Sequence, residues 1–169
     1  MKNSLFENLK TVCTILNEQG VEYLIVGGAA VGLHGYQRLS RDSSGQDTEV
    51  VDLDFWYNPS YNNYFKLINA LEKIGQDVTA FRAEQTPDPK RSFFRIEQPA
   101  YTLDFPPELP GLPEFREAFN SKVTTKLDET EILFISFDDL LKNKQALNRP
   151  KDQEDIRQLQ LKKSRKKEG

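Results

Sequence analysis

Glu49-Val50-Val51-Asp52-Leu53-Asp54-Phe55-Trp56-Tyr57 alternates along its length, with Val51, Leu53 and Phe55 on one side and Asp52 and Asp54 on the other. Alternation of this kind marks a strand with one face in a core. At positions i and i+2 of a strand the two aspartates project the same way, their Cα atoms roughly 6.5–7 Å apart. Carboxylates held so close repel each other unless a cation sits between them or one takes a proton. Oxygen donors on a rigid strand suit Mg²⁺, which binds one or two protein carboxylates together with substrate phosphates. The plainer reading of an isolated Asp-x-Asp is a solvated strand face, so the flanking sequence has to decide.

Upstream, Tyr23-Leu24-Ile25-Val26 is a short continuous apolar run, the pattern of a buried strand. Gly27-Gly28 breaks it, and helical spacing resumes over Ala29 to His34. Strand, glycine turn and helix N-terminus follow in order. Two glycines permit a sharp turn and a close approach to the backbone. A helix start offers unpaired N–H groups and the positive end of a dipole to an anion. Downstream, Thr102-Leu103-Asp104-Phe105 sets another acid among apolar residues on a predicted strand. If that strand neighbours Asp52-Leu53-Asp54, three carboxylates meet, enough to hold two metal ions around an in-line displacement.

The rest of the chain reads as supporting elements. Ser4 to Gly20 has Leu5, Leu9, Val12, Ile15 and Leu16 at helical steps. Ser60 caps a predicted helix from Tyr61 to Ile74, with Phe65, Ile68, Leu71 and Leu67 inward. Strands are expected at Val78 to Arg82, Phe93 to Ile96 and Tyr101 to Phe105, and a proline-rich loop at Pro106 to Pro113. Val123 to Lys126 and Glu131 to Ile135 suit a hairpin turning at Asp128-Glu129. Ser136 opens a helix to Ala146, with Asp139 completing a capping box. Asp152 is placed as the cap of a last helix that fades into Lys162-Lys163-Ser164-Arg165-Lys166-Lys167. The order of elements predicts an α+β fold with a mixed sheet.

Composition narrows the class. At 169 residues and 37% hydrophobic content the chain has the size and core of one domain. Its net charge of −3 gives no overall attraction for nucleic acid, so a polyanion would need a local basic patch. The one cysteine, Cys13, lies in an apolar run and is read as core. A single Cys fits a reducing compartment, and no stretch approaches the length of a membrane span, so a cytoplasmic location is expected.

Val26-Gly27-Gly28, then Leu33-His34-Gly35-Tyr36-Gln37-Arg38, then Asp52-Leu53-Asp54-Phe55, resembles the signature of the polymerase-beta-like nucleotidyltransferases. The likeness continues in Ile135-Ser136-Phe137-Asp138-Asp139-Leu140-Leu141, Lys144 and Arg149-Pro150-Lys151-Asp152. That tail is similar to small bacterial nucleotidyltransferase-like proteins grouped with abortive-infection and toxin–antitoxin systems. The resemblance implies a nucleotidyltransferase fold, a mixed twisted sheet flanked by helices. It places a nucleotidyltransferase-like domain over 1–161 and a basic C-terminal tail over 162–169. It also implies transfer of an NMP from an NTP to a hydroxyl on RNA, protein or a small molecule, with Mg²⁺ or Mn²⁺ as cofactor. Asp52 and Asp54 would bind both ions, Asp104 would complete the set and activate the acceptor, and Gly27 and Gly28 would hold phosphates.

Two features depart from the family pattern. The interval from Gly28 to Asp52 is longer, the excess being Leu39 to Val51, which implies an inserted loop over the metal site. The Ser often found after the first glycine is Gly28 here, leaving backbone donors alone. Among supporting residues, Arg38 is read as a partner for the triphosphate or for a carboxylate such as Asp52. Lys144 is read as nucleotide-binding, and Arg149 and Lys151 as facing nucleotide, RNA or solvent. His34 is read as packed or capping. One of Tyr57, Tyr61 and Tyr64 could stack on a base, most of that set being packing. A partner protein could supply acceptor recognition. The rival functions are a non-catalytic nucleotide-binding module and a metal-dependent nuclease using the same acids.

Overall fold

The computed structural model describes residues 3–35 and 51–168. Arg38 and the expected loop over 39–50 therefore lie outside the described residues.

Helix α1 (Asn3–Glu18) forms because Leu9, Val12, Cys13 and Leu16 fall on one stripe, and all four are fully buried. Gly20, at φ 72°, ends it in the left-handed conformation glycine adopts freely. Strand β1 (Tyr23–Val26) is buried throughout and passes directly into α2 (Gly27–Leu33). Strand β2 (Val51–Tyr57) is followed by α3 (Tyr61–Ile74), whose Ser60 cap accepts a hydrogen bond from the Asn63 N–H. Then come α4 (Thr79–Ala83), a 3₁₀ turn at Pro89–Arg91, β3 (Phe94–Glu97) and β4 (Tyr101–Phe105). Helix α5 (Phe115–Asn120) precedes the hairpin of β5 (Val123–Leu127) and β6 (Thr130–Phe134), and α6 (Phe137–Leu147) and α7 (Pro150–Glu168) end the chain.

Among the described residues six strands form one mixed sheet in the order β3-β4-β2-β1-β6-β5. The β2/β4 and β1/β6 pairs are parallel, and the other three are antiparallel. One face carries Tyr23, Phe55 and Phe105 in successive ring contacts, with Phe94 against Tyr64 and Phe81, and is covered by α1, α3 and α4. The opposite face carries the acids, with α5 packed through Phe115 on Trp56. This is the α+β architecture expected. Among the described residues no helix is long and apolar enough to cross a membrane.

Four local readings are corrected. Val78 to Arg82, expected as a strand, is helical: Asp77 accepts hydrogen bonds from the Thr79 N–H and hydroxyl, and that local capture starts α4. Phe65, expected inward, is 49% exposed, because the buried stripe of α3 runs through Tyr64, Leu67, Ile68 and Leu71. Asp152 stands inside α7, not at its cap, and reaches back to accept the Arg149 N–H at 3.1 Å. The lysine-rich run expected to fray is part of α7 to Glu168.

Candidate functional site

The acid face begins with the register of two parallel strands. Asp52 stands opposite Thr102, Leu53 opposite Leu103 and Asp54 opposite Asp104. Leu53 and Leu103 are anchored in the core below, at 1% and 0% exposure, and this fixes which way their neighbours point. Asp52, Asp54 and Asp104 therefore project from the same face, Asp54 and Asp104 side by side. On the outer strand Arg95 pairs with Asp104, and on the inner one Val26 pairs with Asp54. A single row thus crosses the sheet as Val26, Asp54, Asp104, Arg95.

Val26 leads straight into the glycine turn. Gly27 has φ 65°, a conformation that costs any residue with a Cβ. A Cβ built there would also run into the Asp54 carboxylate, with the Cγ only 3.2 Å away. Gly27 is required twice: once for the backbone and once for room. The glycine turn thus lies against the Asp54 carboxylate.

Burial pushes the Asp54 carboxyl up, and the charges of Asp104 and Asp52 push it further, to about 6. Lys144 and Lys151 act in the other direction without offsetting this. Like charge in a partly desolvated setting is what a bound cation would relieve.

Lys144 itself is not at the surface. It is 2% exposed, with its ammonium 3.2 Å from Asp152 and 3.1 Å from Asp155, both fully buried. Arg149 adds side-chain bonds of 2.6 and 3.0 Å to Asp152. Burial alone would raise the Asp152 carboxyl, but the bonds from Arg149 and Lys144 outweigh it and hold it at about 2. The sequence reading put Lys144 on the nucleotide; the structure pairs its ammonium with Asp152 and Asp155, near enough for its charge to act on Asp54 through space. Asp155 escaped the sequence reading, although Asp152 and Asp155 stand three residues apart, on one helix face.

Oxygen-only donors on adjacent strands fit a divalent ion such as Mg²⁺ in kind. In position they are not yet gathered: among the described residues no three His, Cys, Asp or Glu side chains converge on one point. Asp104 has both oxygens committed to Arg95, at 2.8 Å from Nε and 3.0 Å from Nη2. Asp52 and Asp54 are the pair on hand, and Asp104 is next to them but held.

His34 is packed, as read: its Nε2 lies 2.8 Å from the Ile135 carbonyl, and its ring meets Phe134 and Phe137 edge-on. Tyr57 and Tyr64 are buried packing residues, while Tyr61 is exposed. Cys13 is core, its thiol pushed up to about 12 by burial.

The fold has a counterpart among solved structures. It superposes on the lincosamide antibiotic adenylyltransferase LnuA in its lincomycin-bound form with a TM-score of 0.56 and 20% identity, covering 95% of this chain and 96% of that one. An antigenic nucleotidyltransferase-like protein from Paracoccidioides brasiliensis matches at a TM-score of 0.49 and 16% identity, over 93% of this chain and 74% of that one. No protein-family model matches the chain, and no curated protein matches it. At these identities the likeness to LnuA establishes a shared fold.

Proposed function

We propose that this chain transfers a nucleoside monophosphate from an NTP to a hydroxyl acceptor, with Asp52, Asp54 and Asp104 as its acids. The reading rests on one observation: two same-face aspartates on β2 stand beside a third on the parallel strand β4, with Gly27 pressed against Asp54. The fold shared with LnuA supports it, since that protein is an adenylyltransferase.

In this reading Asp52 and Asp54 hold Mg²⁺ or Mn²⁺, and Asp104 completes the set. Such an ion, when bound, neutralises charge developing on the transferring phosphoryl group. The acceptor oxygen bonds to the α-phosphorus as the bond to pyrophosphate breaks in line, and its proton passes to the Asp104 carboxylate. Gly27 and Gly28 present only backbone to the phosphates. Arg38 is retained from the sequence as a phosphate partner. Lys144 contributes positive charge that acts on Asp54 through space and fixes α6 against α7.

For the acceptor we place a small molecule first, because LnuA, a lincosamide adenylyltransferase, is matched over nearly its whole length. RNA and protein acceptors come second. Neither a partner protein nor a toxin–antitoxin setting has a residue of the site behind it, and neither is part of the proposal.

The test is incubation with each α-labelled NTP, Mg²⁺ or Mn²⁺, and three acceptor sets: polyhydroxyl antibiotics including lincomycin, total RNA, and cell extract. Label should move to one set and stay put with Asp52→Asn/Asp54→Asn. Metal-dependent NTP binding without any product would select the regulatory module instead. Cleavage of nucleic acid without NTP would select the nuclease.

A further inference from the structure

The chemistry above needs an oxygen of Asp104, yet both are taken. Arg95 stands opposite Asp104 in the antiparallel β3/β4 register and meets it with two parallel N–H···O bonds, 2.8 and 3.0 Å long. A planar guanidinium on a carboxylate in this fork arrangement fixes orientation as well as charge. Asp54, the next residue along the row, has its own carboxylate crowded by Asp104 and Asp52. The Arg95 pairing therefore decides which way Asp104 turns: toward the edge strand, away from the Asp52/Asp54 pair.

The pair is placed so that it can open. Arg95 is 59% exposed while the Asp104 side chain is 16% exposed, so the guanidinium can leave into solvent and the carboxylate stays against the sheet. On its outer side Arg95 lies over the Phe93 ring, 5.9 Å from its centroid. Phe93 in turn lines an open cleft of about 610 Å³ with Lys90, Arg91, Pro106 and Pro107. Arg95 itself lines a smaller cleft, of about 200 Å³, that shares Phe93, and a side chain leaving Asp104 has that aromatic surface to rest on.

We propose that Arg95 is a positioning residue that latches Asp104 onto the edge strand, so that the resting protein offers a divalent ion only Asp52 and Asp54, and Asp104 joins when the latch opens. This deepens the function proposed above and rests on it. Arg95 is not a catalytic residue in this account, since it acts through the orientation of Asp104.

Mn²⁺ alone, without nucleotide, is the probe, with free ion read by electron paramagnetic resonance on the full chain. Arg95→Gln should bind Mn²⁺ about tenfold more tightly or take up a second ion, because it frees a carboxylate beside the pair. In an Asp104→Asn background the same substitution should change affinity less than about twofold. Arg95→Lys, a point charge without the fork, should fall between. Arg91→Gln removes an equal charge without the contact and should leave Mn²⁺ binding within about twofold of wild type. Thermal melts confirm that each variant is folded. Equal tightening in both backgrounds, or none in either, overturns the latch. If Asp54→Asn binds Mn²⁺ as well as wild type, the metal pair itself is wrong and the latch falls with it. Mn²⁺ binding that is lost in Asp54→Asn but indifferent to Arg95 defeats the latch alone.

Discussion

Two groups of carboxylates bear on the same region of this molecule, and the fold treats them in opposite ways. Asp152 and Asp155 are fully buried, yet Lys144 lies within ion-pair distance of both and Arg149 adds a fork to Asp152. Asp152 is held down at about 2 despite its burial. Asp54 is driven up to about 6 by burial and by its neighbours Asp104 and Asp52. Burial penalises both. The direction of the outcome is set by whether hydrogen-bonded positive charge is built in. The first group is a closed structural joint between α6 and α7. In the second, Arg95 holds Asp104, while Asp54 is crowded by the like charges of Asp104 and Asp52.

The contrast can be broken at either end. The largest effect expected is on catalysis: Asp52→Asn/Asp54→Asn should lower labelled-NMP transfer on the order of 10⁴-fold, since it removes the charge that positions the ion. Steady-state kinetics check this, and the variant should stay folded. Lys144→Met should do the reverse, costing about 3–5 kcal/mol of stability by removing the ammonium that the buried Asp152 and Asp155 share. Denaturant unfolding measures it; a loss near zero would remove the structural role given to this lysine.

Asp54→Asn sharpens the comparison. The folded pKa of about 6 lies above the ordinary carboxylate value of 3.8, so the native protein binds more protons between these limits. Stability accordingly falls as pH rises through that window, and the penalty is complete above it. In chelator at neutral pH, Asp54→Asn should therefore be more stable than wild type by roughly 3 kcal/mol. Asp152 has the opposite sign. Its folded value of about 2 lies below 3.8, so its contribution is present above pH 4 and lost as pH falls toward 2. An acid titration of unfolding free energy should lose roughly 2 kcal/mol there, and Asp152→Asn should flatten that limb. The smallest effect is Gly27→Ala, about 1–2 kcal/mol from the left-handed backbone alone, with Asp54 displaced besides.

Much of this frame could be read from the chain. The alternation of Val51, Asp52, Leu53, Asp54 and Phe55 marks β2 and its acid side, and Ser60 and Ser136 mark helix starts that the structure bears out through bonds to Asn63 and Asp139. Errors arose where a local hydrogen bond or a neighbour decided the matter. Val78 and Thr79 have strand-forming side chains, but Asp77 accepts the Thr79 N–H and hydroxyl where the helix starts. Helix α5 follows a proline-rich loop and buries only Phe115 and Ala118, too few to show a period. At the site, the three aspartates were legible because each sits in an apolar run. Arg95 was not, because its partner is fixed by which strands lie side by side, and spacing along one strand does not encode that. The pairing of Lys144 with Asp152 and Asp155 was hidden for a related reason: it joins two helices, and spacing along one of them does not show it.

Melting wild type and Asp54→Asn at neutral pH, each with chelator and with excess Mg²⁺, tests the account at its centre. Wild type should start lower and rise with Mg²⁺, while Asp54→Asn should start higher and respond little. Equal Mg²⁺ responses in the two proteins would contradict it.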